Sequence, residues 1–219
     1  MKKLNCELIT WRKSYELATK LARKIKLSSY IPEIVIAIGR GGFVPARIVS
    51  DFLNITELTS IRIEHWLAAK LKKEARLQAP LAVNAGGKKV LVVDDITDTG
   101  ETLEKALRYI SAQNPKEIRT AVLHHKTVSK LEPDYIAHKI KKWRWVIYPW
   151  AIYEDLSTFI VEILKEEKER SSSKILKALA ENFNIRMNLR TLQLMLEELE
   201  TDGKIAMKTM RGLEYWCLK

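Results

Sequence analysis

Residues 90–103 read Val-Leu-Val-Val-Asp-Asp-Ile-Thr-Asp-Thr-Gly-Glu-Thr-Leu, and the rest of the chain takes its meaning from this stretch. Val90 to Val93 is an unbroken apolar run of branched residues, the pattern of a strand covered on both faces in a parallel sheet. Asp94 and Asp95 follow at once. The next residues supply three hydroxyls (Thr97, Thr99, Thr102), a further carboxylate (Asp98) and one glycine (Gly100) before helical spacing begins near Glu101. Strand, polar loop and helix N-terminus therefore come in that order. A loop that closes on a helix N-terminus presents unpaired amides, and the positive end of the helix dipole, to one point. A phosphate fits that point, because threonines add hydrogen bonds without charge and Gly100 lets the backbone approach the anion closely. Asp94 and Asp95 have the wrong sign for phosphate and need another partner, which a vicinal diol or a hydrated magnesium ion would supply. A phosphorylated ribose carries all of these groups together.

A second loop has matching character. Ile34 to Ile38 is a short strand-like apolar run, followed by Gly39-Arg40-Gly41-Gly42 and then Phe43-Val44-Pro45-Ala46-Arg47, with Pro45 tolerated in a first helical turn. Amides in such a loop can face an anion while the guanidinium closes over it. Taken together, DDITDTGET after four apolar residues resembles the binding motif for phosphoribosyl pyrophosphate (PRPP) of the type I phosphoribosyltransferases. IAIGRGGFVPAR resembles the pyrophosphate loop of the same family. The resemblance covers roughly Thr10 to Trp150 and implies an α/β fold, a mainly parallel sheet flanked by helices. It implies PRPP contacts from Asp94, Asp95, Thr97, Asp98, Thr99, Gly100 and Thr102, with Gly39, Arg40 and Gly41 at the pyrophosphate. It also implies magnesium held by Asp94 and Asp95, directly or through water, and a cis peptide before Arg40. Two catalytic roles follow from it. Asp98 would accept the proton of the attacking ring nitrogen, and Arg40 would take the charge growing on the departing pyrophosphate.

The base side rests on two further stretches. Glu117 to His125 reads as a strand bounded by Asn114-Pro115, and Lys126 stands just past it. In the 6-oxopurine members of the family a lysine at this place donates to the exocyclic oxygen of the base. Such a donor accepts guanine, hypoxanthine or xanthine and clashes with the amine of adenine. Trp143 to Trp150, WRWVIYPW, resembles the hood of the xanthine-guanine and hypoxanthine-guanine enzymes. Aligned on Pro149-Trp150, Trp145 would stack on the purine and the Val146 backbone would meet its other edge. Where some relatives carry an acidic residue after the tryptophan, this chain has Ala151. His124 and His125 show no partnering pattern and are given no chemistry.

Elsewhere, Glu7 to Lys26, with Thr10 as a cap, has apolar residues Trp11, Tyr15, Ala18, Ala22 and Ile25 at helical spacing, a face expected to pack on the sheet. Leu58 to Ile63 reads as a strand. Glu64 to Gly86, with Lys70, Lys72, Lys73 and Arg76, lacks stable periodicity and corresponds to the segment that folds over the site in the family. The transferase part is expected to end near Tyr153, giving domains 1–153 and 154–219. In the second, Leu156 to Lys168, Ser172 to Phe183 and Asn188 to Glu200 have helical spacing. Gly203 stops the third helix, and Lys204 to Thr209 and Leu213 to Leu218 can pair as a hairpin. Three helices and a hairpin look like a small α+β winged helix, with Arg186, Arg190, Lys204, Lys208 and Arg211 as candidate phosphate contacts and a protein contact as the other role.

The 219 residues suffice for one sizeable core and a small appendage, and with 47% apolar and 30% charged residues the composition is globular. No apolar run has the length of a membrane span and no signal-peptide core follows Met1, so a cytoplasmic protein is expected. Cys6 and Cys217 are too few for a disulfide framework or a zinc site. The net charge of +11 sits almost wholly in the first 156 residues, since Ser157 to Lys219 holds 11 basic against 10 acidic residues. The excess thus lies with the anion chemistry rather than with the tail. The expected activity is transfer of phosphoribosyl from PRPP to a 6-oxopurine in purine salvage, by a dimer in the manner of the family. A PRPP- or purine-responsive regulator that binds DNA through the tail would use the same ligand site.

Overall fold

The computed structural model describes residues 3–67, 73–210 and 212–219. In chain order the elements are β1 (Cys6–Leu8), α1 (Trp11–Leu27), β2 (Ile34–Gly39), α2 (Phe43–Leu53), β3 (Leu58–Leu67), β4 (Lys73–Ala79), β5 (Lys89–Thr97) and α3 (Glu101–Ser111). They continue with β6 (Glu117–Lys126), β7 (Tyr135–Ile140), β8 (Trp145–Ile147), α4 (Ile152–Glu166), α5 (Ser172–Phe183), α6 (Leu189–Thr201), β9 (Ile205–Met210) and β10 (Leu213–Leu218). Contacts divide the chain into two compact units, Trp11–Trp143 on the one hand and Met1–Thr10 with Arg144–Lys219 on the other.

The unit Trp11–Trp143 is the expected α/β sheet. Its six strands run in the order β4-β3-β2-β5-β6-β7, all parallel except the β3–β4 pair at one edge. The central strands are apolar without alternation because helices cover both faces. Ile34, Ile36 and Ile38 of β2, with Val90 and Val92 of β5, form one core with Leu103, Ala106 and Ile110 of α3. Val35, Ala37, Leu91 and Val93 are equally buried and, by the two-residue period of a strand, belong to the opposite face, where α2 lies against β2 and β5. The chain leaves β2 toward β3 and leaves β5 toward β6. The strand order therefore reverses between β2 and β5, and in open α/β sheets ligands bind outside the strand ends at such a switch point.

Two expectations need correction here. Trp11 and Tyr15 of α1 are exposed, and the buried face is made by Ser14, Leu17, Ala18, Leu21, Ala22 and Ile25. Tyr15 instead meets the Phe52 ring of α2 edge-on, at 6.0 Å. The stretch after Ile63 is not irregular: β3 runs on to Leu67 and β4 returns antiparallel beside it, so strand pairing replaces much of the expected loop. Lys70 and Lys72 lie outside the described residues.

The other unit couples the start of the chain to its end. β1 pairs in parallel with β8, Cys6 opposite Trp145 and Leu8 opposite Ile147. Cys6 and Ile147 share one core with Leu156, Phe159 and Ile160 of α4, Leu179 and Phe183 of α5, Leu192 and Leu196 of α6, and Trp216 of β10. Phe159 and Phe183 stack at 4.3 Å within it. Ser171 and Asn188 cap α5 and α6, each accepting a backbone N–H in the first turn. The hairpin β9–β10 closes the chain, and Arg170 bridges to Trp216 before α5 begins. Because β8 and α4 share this core, the contact division falls at Arg144, ten residues before the border expected at Tyr153. Cys6 and Cys217 are both buried free thiols. Among the described residues no helix is long and apolar enough to cross a membrane.

Candidate active site

Both loops read from the sequence lie at the C-terminal ends of adjacent strands. β2 and β5 pair in register from Ile34 opposite Val90 to Ala37 opposite Val93, so Gly39–Gly42 and Asp94–Gly100 emerge side by side at the switch point. Their closeness explains two glycines. A Cβ on Gly41 would come within 2.5 Å of the Asp95 carboxylate, and one on Gly42 within 2.4 Å of the Val93 carbonyl oxygen. No other side chain fits there. The Gly39–Arg40 peptide is cis, as the resemblance implied. Gly42 N–H donates to the Ile38 carbonyl at 2.8 Å and Phe43 N–H to that of Arg40 at 3.2 Å, which turns the chain into α2 and leaves Arg40 exposed.

The second loop holds the acidic pair inside. Asp94 and Asp95 are both buried, and Asp94 Oδ1 accepts the Asp95 N–H at 2.9 Å. Burial pushes the Asp94 carboxyl well above its ordinary 3.8, and the adjacent Asp95 charge adds to the rise. A raised acid takes up its proton in the fold before it does in the unfolded chain. Its contribution to stability is thus present at low pH and is lost as pH rises through the folded value. Asp94→Asn keeps an acceptor for the Asp95 N–H and removes the buried charge. The variant is expected to melt a few degrees higher than the parent near pH 8, with the gap closing toward pH 4. Melting curves across that range check this, and a variant less stable at every pH would refute it.

Beyond the pair, Thr97 Oγ1 is buried without a hydrogen-bond partner among the described residues, as suits a hydroxyl placed for a ligand. Gly100 takes φ +91, a left-handed conformation that disfavours any side chain. It passes so close to Ser129 and Leu131 that a Cβ would meet Ser129 Oγ at 2.8 Å. The Lys130 N–H donates to the Thr99 carbonyl at 3.2 Å, and Thr99 Oγ1 accepts the Glu101 N–H at 3.4 Å. Thr102 lies in the first turn of α3. The loop is thus tied from behind, with Gly100 at the helix cap.

Lys126 is the last residue of β6, one step beyond His125, which pairs with Thr97 of β5. Its side chain is 3% exposed, and Nζ donates to Asp98 Oδ2 at 2.5 Å. Asp98 is 40% exposed, so the carboxylate faces water while the ammonium does not. His124 and His125 on the same strand are buried. His124 meets His138 edge-on at 5.5 Å, and burial lowers the His125 pKa, which keeps that ring neutral.

The remaining two predicted residues stand on β8, in the other unit. Trp145 is 38% exposed, and its indole Nε1–H donates to Asp155 Oδ1 at 3.0 Å. Val146 is half-buried and opposite Glu7 in register. The aromatic stretch is therefore not simply core, since Trp143 is exposed as well. Two residues escaped the sequence reading. Asp155 orients the Trp145 indole, and Trp143 places its ring 4.6 Å from the Lys126 ammonium. Trp143 standing two positions before Trp145 was the available signal for the second.

The switch point of a mainly parallel sheet thus carries a glycine-arginine loop, a buried acidic pair and a hydroxyl-rich helix start, groups that suit a phosphorylated, diol-bearing ligand. The chain belongs to the phosphoribosyl transferase domain family, which matches residues 6–155. It is 26% identical over 145 residues to a xanthine-guanine phosphoribosyltransferase of Idiomarina loihiensis, covering 66% of this chain and 86% of that protein. It is 29% identical to a hypoxanthine-guanine phosphoribosyltransferase of Schizosaccharomyces pombe, over 62% of this chain and 84% of the other. Among solved structures, a purine phosphoribosyltransferase from Pyrococcus horikoshii superposes with a TM-score of 0.60 at 29% identity, covering 66% of this chain and 93% of that one. A Neisseria gonorrhoeae protein with bound ppGpp superposes with a TM-score of 0.61 at 28% identity, over 68% and 90%.

Proposed function

We propose that the chain is a purine salvage enzyme that transfers the 5-phosphoribosyl group of PRPP to a 6-oxopurine, giving the nucleoside monophosphate and pyrophosphate. The buried Lys126 ammonium, paired with Asp98 beside the acidic pair, carries this reading. A charged donor set into a nearly dry position suits the exocyclic oxygen of guanine, hypoxanthine or xanthine and repels the amine of adenine. The kind of relatives the chain matches supports the same choice.

Each group then has a task. Asp94 and Asp95 hold the ribose hydroxyls. Thr97, Thr99 and Thr102, with the Gly100 turn and the start of α3, take the 5'-phosphate. Arg40 and the amides of Gly39 and Gly41 take the pyrophosphate and the charge it gains as its bond to the ribose carbon breaks. Asp98 accepts the proton of the ring nitrogen as that nitrogen bonds to the same carbon. By the resemblance alone, Trp145 would stack on the base and the Val146 backbone would meet its edge. Asp94 and Asp95 also suit a magnesium ion, which favours one or two carboxylates completed by substrate oxygens. Among the described residues no cluster of three or more acidic, histidine or cysteine side chains would hold a metal without substrate. When bound, magnesium neutralises charge on the pyrophosphate. Asp94→Asn, expected to gain stability, should therefore lose PRPP binding.

The assay is nucleotide formation from PRPP, magnesium and each of guanine, hypoxanthine, xanthine and adenine. Product from an oxopurine but not from adenine is expected. PRPP bound without product from any base would refute the enzyme. The intact chain is required, because a chain ending at Tyr153 strips Cys6 and Ile147 of the helices that cover them.

The functional border is still placed at Tyr153, with 154–219 a winged-helix-like domain and the assembly a cytoplasmic homodimer after the family. The order helix, bridging residue, helix, helix, hairpin supports that domain type. DNA reading is less well supported. Lys204 pairs with Asp202 at 2.9 Å and Lys208 with Glu169 at 3.0 Å, which leaves Arg186 and Arg190 as the described cations of the expected set outside such exposed ion pairs. Glu197 and Glu198 are exposed late in α6. A protein contact therefore fits the tail better than a duplex, and duplex affinity is expected to be weak. A steep fall of tight binding with added salt would reverse that order and restore the regulator.

A further inference from the structure

Lys126 is held from two sides. A buried ammonium is costly unless it is met by charge or by polar groups. Asp98 meets it at 2.5 Å, and the Trp143 ring lies 4.6 Å from Nζ, within the range at which an aromatic face attracts a cation. Trp143 is itself 45% exposed, so apolar burial does not account for where its indole sits. The backbone brings it there. Lys126 and Ile140 are register partners of the parallel pair β6–β7, and the Thr127 N–H donates to the Ile140 carbonyl at 3.1 Å. Three residues beyond Ile140, past exposed Lys141 and Lys142, the chain reaches Trp143.

We propose that Trp143 is a positioning residue of the base site, whose indole face holds the Lys126 ammonium beside Asp98 and so fixes the direction in which it donates to the purine oxygen. The proposal rests on the 6-oxopurine reading of the site. A lysine has four rotatable side-chain bonds, and a carboxylate contact at the ammonium does not by itself fix all of them. A ring on a second side restricts them further. Without the indole the lysine keeps its charge and its carboxylate but spends less time in the donating rotamer. The loss then falls on base binding rather than on PRPP.

The test is steady-state kinetics of the full chain with hypoxanthine and PRPP. Trp143→Leu is expected to raise the KM for hypoxanthine about three- to tenfold, to leave the KM for PRPP unchanged, and to alter kcat less than twofold. Trp143→Phe, which keeps an aromatic face, should recover most of the loss. An unchanged hypoxanthine KM in Trp143→Leu, with the parent chain active, would overturn the role of Trp143 alone. So would equal rises in both variants, or a matching rise in the KM for PRPP, since bulk or fold would then be the cause. A parent chain without turnover on any oxopurine would overturn the transferase reading and this inference with it.

Discussion

Replacing Asp98 by asparagine is expected to lower kcat by about 10²- to 10⁴-fold while PRPP still binds. The substitution is nearly isosteric and keeps an oxygen that can accept from Lys126, so the local geometry should survive. What disappears is a group able to take a proton. Asp98 suits that task because it is 40% exposed on one side and joined to Lys126 on the other, which leaves one carboxylate oxygen for the base. The ammonium loses its counter-charge in the variant, and some weakening of base affinity should accompany the loss in rate. Single-turnover formation of nucleotide from PRPP and hypoxanthine, with PRPP affinity measured separately, checks both expectations. Near-normal turnover would remove Asp98 from the chemistry and leave it as a tether for Lys126.

How far the sequence alone carried differs between the two sides of the site. The shape of the two loops proposed for the phosphates was legible, because each lies in one short contiguous stretch. Gly39 to Gly42 and Asp94 to Thr102 each contain their own strand end, turn and helix start. The order of residue types therefore encodes the geometry. The close approach of Gly41 to Asp95 was not legible, since it depends on β2 and β5 being neighbours. The base side depends on pairs far apart in the chain. Nothing local links Asp98 to Lys126, 28 residues on, or Lys126 to Trp143. The register of β5, β6 and β7 makes those pairs.

The same reason explains the misplaced elements. Trp11 and Tyr15 have helical spacing but lie at the margin of the buried face, which periodicity alone does not resolve. The strand pairing after Ile63 arises because β3 has an open side at the sheet edge, and an edge recruits a partner of modest apolar character. The N-terminal strand β1 gave no signal that it would pair with β8, some 140 positions away in sequence. That pairing places the contact division at Arg144, apart from the functional border proposed at Tyr153.

Lys126→Met separates function from stability most sharply. Methionine keeps the unbranched stem and the approximate volume of lysine in a position that is 3% exposed, and removes the ammonium. Removing one partner of an ion pair destabilises where the other charge is left buried, but the charge removed here no longer has to leave water and its partner need not stay dry. Asp98, which loses its partner, is exposed enough to be hydrated. The melting temperature is therefore expected to hold or rise. Catalysis should move the other way: a hydrogen bond from a charged donor is worth about 1.5–3 kcal/mol, so kcat/KM for hypoxanthine should fall about 10- to 150-fold. Adenine should not suffer alike, because the variant no longer sets an ammonium against its amine. The ratio of oxopurine to adenine turnover, measured with the melting curve on the same preparation, decides the matter. Equal losses on both bases would show that Lys126 shapes the pocket without reading the substrate. A large fall in melting temperature would show that the fold needs the ion pair. If instead stability holds and discrimination collapses, this lysine is buried for the sake of the base it meets.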